Sequence, residues 1–167
     1  LQDQELLVRA RQDTYVATHP RTQDRIAFVR KHLEKSPYSG NYLPAHVQAM
    51  HERMSAKLKG FFNPTPQTLR EFPASSTAIN ARYARAMAYY RDAQTDEALK
   101  EIDGLIKRIP DDPYFHELRG QILFEQGKLT KALPDYKRAV NLRPGQPLLR
   151  VGLAHVQVEL NTPNLIK

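Results

Sequence analysis

Cysteine is absent from the 167 residues, which excludes disulfides and thiolate metal sites. No apolar run approaches the roughly 18 residues that crossing a bilayer requires, and no charged start leads into an apolar signal segment. Glycine-rich phosphate loops are missing, as is a serine nucleophile elbow. A zinc-protease helix needs His-Glu-x-x-His, because residues four apart share a helix face and the intervening Glu reaches the metal-bound water. His51-Glu52-Arg53-Met54-Ser55 and His116-Glu117-Leu118-Arg119-Gly120 each lack the second histidine, so neither chelates alone and both read as solvated helix residues. His46 and His51 are poorly aligned for one metal and read as surface histidines. The net charge of +7, from 25 basic and 18 acidic residues, is spread without a long basic run. Such a balance favours acidic partners or membrane surfaces only weakly. The basic stripe with stacking aromatics that nucleic acid demands is missing, so no nucleic-acid partner is expected.

What is present is a pattern from Pro113 to Gln146. Gly120 is followed by Leu123, Phe124, Gly127, Ala132, Tyr136, Ala139 and Pro144. Small residues (Gly120, Ala132, Ala139) suit positions where two antiparallel helices cross closely, and large ones (Leu123, Leu133, Tyr136, Leu142) fill the gaps between crossings. Gly127 can take the positive φ that ends a first helix, and Pro144 closes a second. Pro110 and Pro144 are 34 residues apart, and the preceding copy places Ala86, Tyr89 and Ala98 in register, with Asp96-Glu97-Ala98-Leu99 opening its second helix. Order, size and period resemble the tetratricopeptide repeat. Pro134 departs from helix chemistry unless it falls in the first turn of its helix, where a missing N–H costs little.

A third copy begins at Pro147 with Leu153, Ala154 and Val156 in register. Its first helix carries Leu148, Val151, Leu153, Val158 and Leu160 with no downstream helix to cover them, which predicts self-association through that uncapped end or a frayed terminus. The chain opens at Leu1 rather than methionine and closes without a convincing helix, so a piece of a longer protein is expected.

Before the repeats, residues 1–35 read as two helices broken at Thr18-His19-Pro20. Leu6, Leu7 and Ala10 form one stripe, and Ile26, Val29 and Leu33 another. Thr22 suits the N-cap of the second helix, and Ser36-Pro37 its end. A turn-rich stretch leads to a helix from about Ala45 to Lys59 with Val47, Met50, Met54 and Leu58 on one face. Phe61-Phe62-Asn63-Pro64-Thr65-Pro66 then breaks the chain before a short helix from Gln67 to Phe72. The expected architecture is all-α, with antiparallel helix pairs stacked as a short superhelix behind additional helices. Its divisions are 1–36, a linking helix with Pro-rich turns over 37–75, and a repeat array over 76–167 (79–112, 113–146 and a partial 147–167).

The segment Arg11-Gln12-Asp13-Thr14-Tyr15-Val16-Ala17-Thr18-His19-Pro20, followed by Asp24-Arg25-Ile26, resembles the Thr-His-Pro…Arg-Ile segment that follows the catalytic helices of BepA/HtpX-like zinc metallopeptidases. Members with tetratricopeptide tails are similar further on, at Ala56-Lys57-Leu58-Lys59-Gly60-Phe61, Ala81-Arg82-Tyr83-Ala84-Arg85-Ala86 and Asp112-Pro113-Tyr114-Phe115-His116-Glu117-Leu118, so the likeness covers nearly the whole chain. The resemblance implies a periplasmic, membrane-associated zinc metalloendopeptidase whose metal-binding half precedes Leu1. Residues 1–36 would continue from that half. The fragment alone would have no catalytic residue and no cofactor, and the zinc would belong to the parent. Its tail would recruit protein substrates or envelope and outer-membrane assembly partners. His19 would supply a gating contact near the zinc of the intact enzyme. The alternative is a stand-alone adaptor or assembly factor without protease activity.

Stacked repeats line a concave surface with the first helix of each pair. From the register, that lining is Asn80, Tyr83, Met87, Tyr90, Tyr114, Glu117, Gln121, Phe124, Leu148, Val151 and His155. The mixture is aromatic and apolar, suited to a peptide or a helix laid in the groove, with about half of these side chains expected to pack between helices instead. Tyr83, Met87 and Glu117 stand where a carboxylate-gripping groove would carry Lys, Arg or Asn, which argues against that mode.

Overall fold

The computed structural model describes residues 22–161, and every regular element among them is a helix. The first expected helix, His19 and the last six residues lie outside that range. The chain divides into two compact units, one ending at Pro44 and one beginning at Ala45.

The described part of the first unit is α1 (Thr22–Lys35). Asp24 in its first turn and His32 and Lys35 in its last complement the helix dipole. Its end falls at Ser36-Pro37, where the Ser36 hydroxyl accepts the Tyr38 N–H at 3.2 Å. The expected stripe is helical, but Val29 and Leu33 are exposed, and so is Phe28 beside them.

The second unit holds α2 (Ala45–Phe62), α3 (Thr65–Glu71), α4 (Ile79–Arg91), α5 (Thr95–Arg108), α6 (Pro113–Glu125), α7 (Leu129–Leu142) and α8 (Pro147–Asn161). Helices α4 and α5 form one antiparallel pair and α6 and α7 the next, while α8 packs on α7 and touches α6. Local chemistry sets the ends. Asp96 and Glu97 open α5 and Lys107 and Arg108 close it, both favourable to its dipole. Asp112 caps α6 by accepting the Tyr114 N–H, with Pro113 in the first turn where no N–H is needed. The turns inside the two pairs are built alike, because Ala93 (φ 56°) and Gly127 (φ 69°) hold the same left-handed position one repeat apart.

The core follows the repeat. Between α4, α5 and α6 it consists of Tyr83, Ala86, Met87, Ala98, Ile102, Leu105, Phe115, Leu118 and Ile122. Between α6, α7 and α8 it consists of Ala132, Tyr136 and Val156, flanked by Leu123, Phe124, Leu133, Leu153 and Leu160. Gly120, Ala132 and Ala139 are buried at the crossings, as their size requires. Tyr136 explains two glycines: a Cβ at Gly120 would meet its ring at 3.1 Å, and one at Gly152 would meet it at 2.6 Å. The ring of α7 is therefore held against glycine backbone on both α6 and α8.

Three features depend on the packing. Within the expected linking stretch of 37–75, α2 and α3 pack on α4 in the same compact unit as the repeats. The face of α2 bearing Met50, Met54 and Leu58 points outward, while Ala56 and Gly60 make the contact. The reason is steric: a Cβ at Gly60 would collide with the Ala84 carbonyl oxygen and lie 2.8 Å from the Met87 Cβ, so the two backbones touch. Pro134 lies inside α7, beyond its first turn. The hydrogen bond it forgoes is to Thr130, which sits at an exposed position where water can serve the carbonyl.

Two substitutions check these contacts by thermal unfolding. Gly60→Ala should destabilise the chain by about 1–3 kcal/mol, since α2 must lift from α4. Ala93→Gly should stabilise it by about 0.5–1 kcal/mol by removing a left-handed L-residue. A neutral Gly60→Ala would contradict the close α2–α4 crossing.

Candidate functional site

The first helices of the pairs, α4 and α6, and the corresponding α8 carry the expected lining at matched positions: Asn80, Tyr114 and Leu148; Tyr83, Glu117 and Val151; Met87, Gln121 and His155; Tyr90 and Phe124. The structure divides them. Tyr83 (2% exposed) and Met87 (6%) are core residues, Leu148 (82%) and Val151 (64%) face solvent, and His155 is exposed. Asn80, Tyr90, Tyr114, Glu117, Gln121 and Phe124 are half-buried.

Part of the division follows from α2, which lies along α4 on its lining face, and part from Tyr83 and Met87 also packing with α5 and α6. Gly60 rests on Ala84 and Met87, Glu52 accepts from Asn80 Nδ2 at 3.4 Å, and Arg53 reaches over to the start of α6. The Arg53 guanidinium makes a two-pronged ion pair with Asp112 and sits over the rings of Phe115 (4.4 Å), Tyr83 (5.2 Å) and Tyr114 (5.8 Å). Burial works against its charge, but the Asp112 carboxylate outweighs that and holds its pKa above the ordinary value. A ligand reaches Met87 only by displacing α2.

Beyond α2 the floor of the groove is α6, where Tyr114, Glu117, Gln121 and Phe124 are half-buried. On one side Met50, Arg53, Met54 and Lys57 of α2 meet Tyr83 and Tyr114 around a cleft of about 210 Å³. On the other side α8 begins, with the rings of Phe124 and His155 4.8 Å apart. Along the floor, Glu117, Gln121 and Glu125 follow one another at single-turn spacing. Glu125 accepts from the Tyr90 hydroxyl and from Gln121 Nε2 (2.6 Å), and the Tyr136 hydroxyl donates to Gln121 Oε1 (2.7 Å). Glu117 differs: among the described residues no hydrogen bond or close ion pair reaches its carboxylate. Burial pushes its pKa up, and the Lys57 charge offsets this only in part.

One structural set escaped the sequence reading. Arg82 and Arg85 on α4 both donate to Glu101 on α5, at 2.7 and 2.8 Å. One repeat later, at the same register, His116 and Arg119 on α6 engage Asp135 on α7. A basic pair three residues apart on a first helix thus clamps an acid on the second helix, twice. The signal was available, because all three positions recur at the repeat period. Arg85, 2% exposed, also donates to the carbonyls of Pro73 (2.8 Å) and Ser76 (3.1 Å), fixing the turn that enters the repeats. Burial raises the Glu101 pKa, but its two guanidinium partners win and hold it below the usual value. His116 is consequently buried rather than solvated, its Nδ1 3.1 Å from Asp135 and its Nε2 2.8 Å from the Pro110 carbonyl. His46 and His51 are exposed.

Among the described residues no group of three or more His, Asp or Glu could hold a metal ion. No helix among them is long and apolar enough to cross a membrane. Residues 83–147 match the tetratricopeptide repeat family. No curated protein matches the chain, and no solved structure does.

Glu117 and Glu101 respond oppositely to pH. The raised pKa of Glu117 makes its ionisation a penalty on the fold above its folded pKa, a penalty absent below the unfolded value. Glu117→Gln should therefore raise stability at neutral pH and lose that advantage as pH falls through the carboxylate range. The lowered pKa of Glu101 contributes stability above the unfolded value, lost as pH falls through the folded one. Glu101→Gln should cost most near neutrality and least in acid. Denaturant titrations of both variants across pH 3–7 read the two signs, and like signs would contradict the geometry.

Proposed function

For a chain that carries tetratricopeptide repeats, we propose that the second unit binds a protein segment in the stretch of groove floored by α6 and walled by α8. The observation that supports this most is the exposure of Leu148 and Val151 in register with the half-buried Tyr114 and Glu117. Apolar side chains on the lining face of a repeat stack are where extended or helical ligands dock. This reading differs from the sequence expectation in leaving the α4 positions to α2.

The wider setting we propose is the one implied by resemblance: the tail of a membrane-associated periplasmic zinc metalloendopeptidase. There the groove would hold protein substrates or envelope assembly partners near a zinc carried by the preceding half. Support comes from the residue likenesses at Ala56 to Phe61, Ala81 to Ala86 and Asp112 to Leu118, and from the Thr-His-Pro segment. His19, outside the described residues, would approach the metal in that enzyme.

Two measurements test this reading. A photocrosslinking amino acid at Val151 in the intact parent protein should capture protein partners that one at the exposed Lys137 of α7 does not; equal capture at both positions would overturn the groove. The reading frame upstream of Leu1 should encode His-Glu-x-x-His, and its protein should bind zinc. A frame without that motif would leave the stand-alone adaptor. Finding zinc affinity and proteolysis unchanged by His19→Ala would remove the gating contact.

A further inference from the structure

The chain already contains one helix seated on its own groove, and that helix indicates what the groove accepts. On α2 Glu52 accepts from Asn80, and Arg53 places its charge on Asp112 with its Cζ 4.4–5.8 Å from three aromatic rings. Its neighbours Met50 and Met54 stand at the edge of the same cleft. The open stretch next to α2 repeats these ingredients. Its floor carries two carboxylates, Glu117 and Glu125. Its aromatic surface is Tyr114 and Phe124, and its apolar wall is Leu148 and Val151. Although the chain as a whole is basic, this floor is acidic.

We propose that this stretch docks an amphipathic helix of a protein partner that presents Lys or Arg between apolar side chains, with the cation on Glu117 and Glu125 and the apolar flanks on Val151 and Met54. The inference rests on the protein-binding reading above and adds the chemistry of the partner. Its physical basis is complementarity. Glu117 is half-buried with no hydrogen-bonded partner among the described residues, and the Lys57 charge offsets its burial only in part, so it gains more from a cation than an exposed carboxylate does. The exposed Glu125, already hydrogen-bonded, adds charge beside it. Apolar side chains on either side exclude water from the pair and supply most of the binding area. Continuity with the α2 contact also favours a helix, since a second helix beside α2 would meet Met50 and Met54, which are exposed on α2.

The test selects from a displayed library of random 15-residue peptides on the purified chain. Enriched sequences should carry Lys or Arg with apolar residues three or four positions to either side. For a synthesised winner, Glu117→Gln with Glu125→Gln should weaken binding roughly tenfold, and added salt should weaken it further. A norleucine analogue of the peptide should bind the original chain and the double variant alike. Because the Gln variants keep side-chain size and Glu117→Gln is expected to stabilise the fold, loss of folding does not confound the result; circular dichroism verifies it. Enrichment of acidic or purely apolar peptides that compete at Val151 would overturn the partner chemistry and leave the protein-binding reading standing. Absence of any enriched peptide, together with absence of crosslinks at Val151, would overturn both. Concentration-dependent dimerisation in sedimentation equilibrium that Val151→Asp abolishes would name a second copy as the occupant and overturn the proposal.

Discussion

Everything in the second unit depends on how closely its helices cross. The crossings are made by residues with little or no side chain, and what fills the space left is a small number of large groups. Tyr136 is the plainest case, its ring lodged against Gly120 on one side and Gly152 on the other. Gly60 does the same for α2 on α4, where backbone meets backbone. Short interaxial distances let a modest core of alanines, leucines and isoleucines bury its surface without large aromatics at every layer. They also fix the angle at which each pair follows the last.

On this frame sits a second, electrostatic pattern. The clamps Arg82–Arg85–Glu101 and His116–Arg119–Asp135 tie each first helix to its second at the same height, and Arg85 extends the tie to the entry turn. Buried ion pairs of this kind contribute little net stability but make misregistered stacking expensive, because a slip would strand a charge. The third copy has Arg150 and Leu153 at these positions, so its clamp is incomplete, and α8 is held by Leu149, Val156 and the Tyr136 contact instead.

Much of this was legible in the sequence because it is local or periodic. The alternation of Gly120, Ala132 and Ala139 with Leu123 and Tyr136, and the spacing of Pro110 and Pro144, required only the size rule for helix crossings. Ala93 in the place of Gly127 follows from the same register. What was not legible depended on partners distant in sequence. Nothing in Met50, Met54 and Leu58 says that they face outward; that follows from Gly60 meeting Ala84, a contact between two elements that periodicity treats separately. The same docking helps to make Tyr83 and Met87, chemically suited to a ligand surface, core residues, while Leu148 and Val151, read as lining from the same register, face solvent. His116 misled for a related reason, since its partner Asp135 lies on the next helix. The pairing appears only when positions one repeat apart are compared.

The central claim is that α2 covers the lining face of α4 while Val151 at the start of α8 is exposed. The absence of cysteine makes this directly measurable, because a single introduced thiol is the sole reactive one. In variants carrying Met87→Cys or Val151→Cys, a water-soluble maleimide should modify the thiol at 151 at nearly the rate of a free peptide, and the thiol at 87 only as fast as the chain unfolds. Comparable rates at the two positions under native conditions would contradict the account.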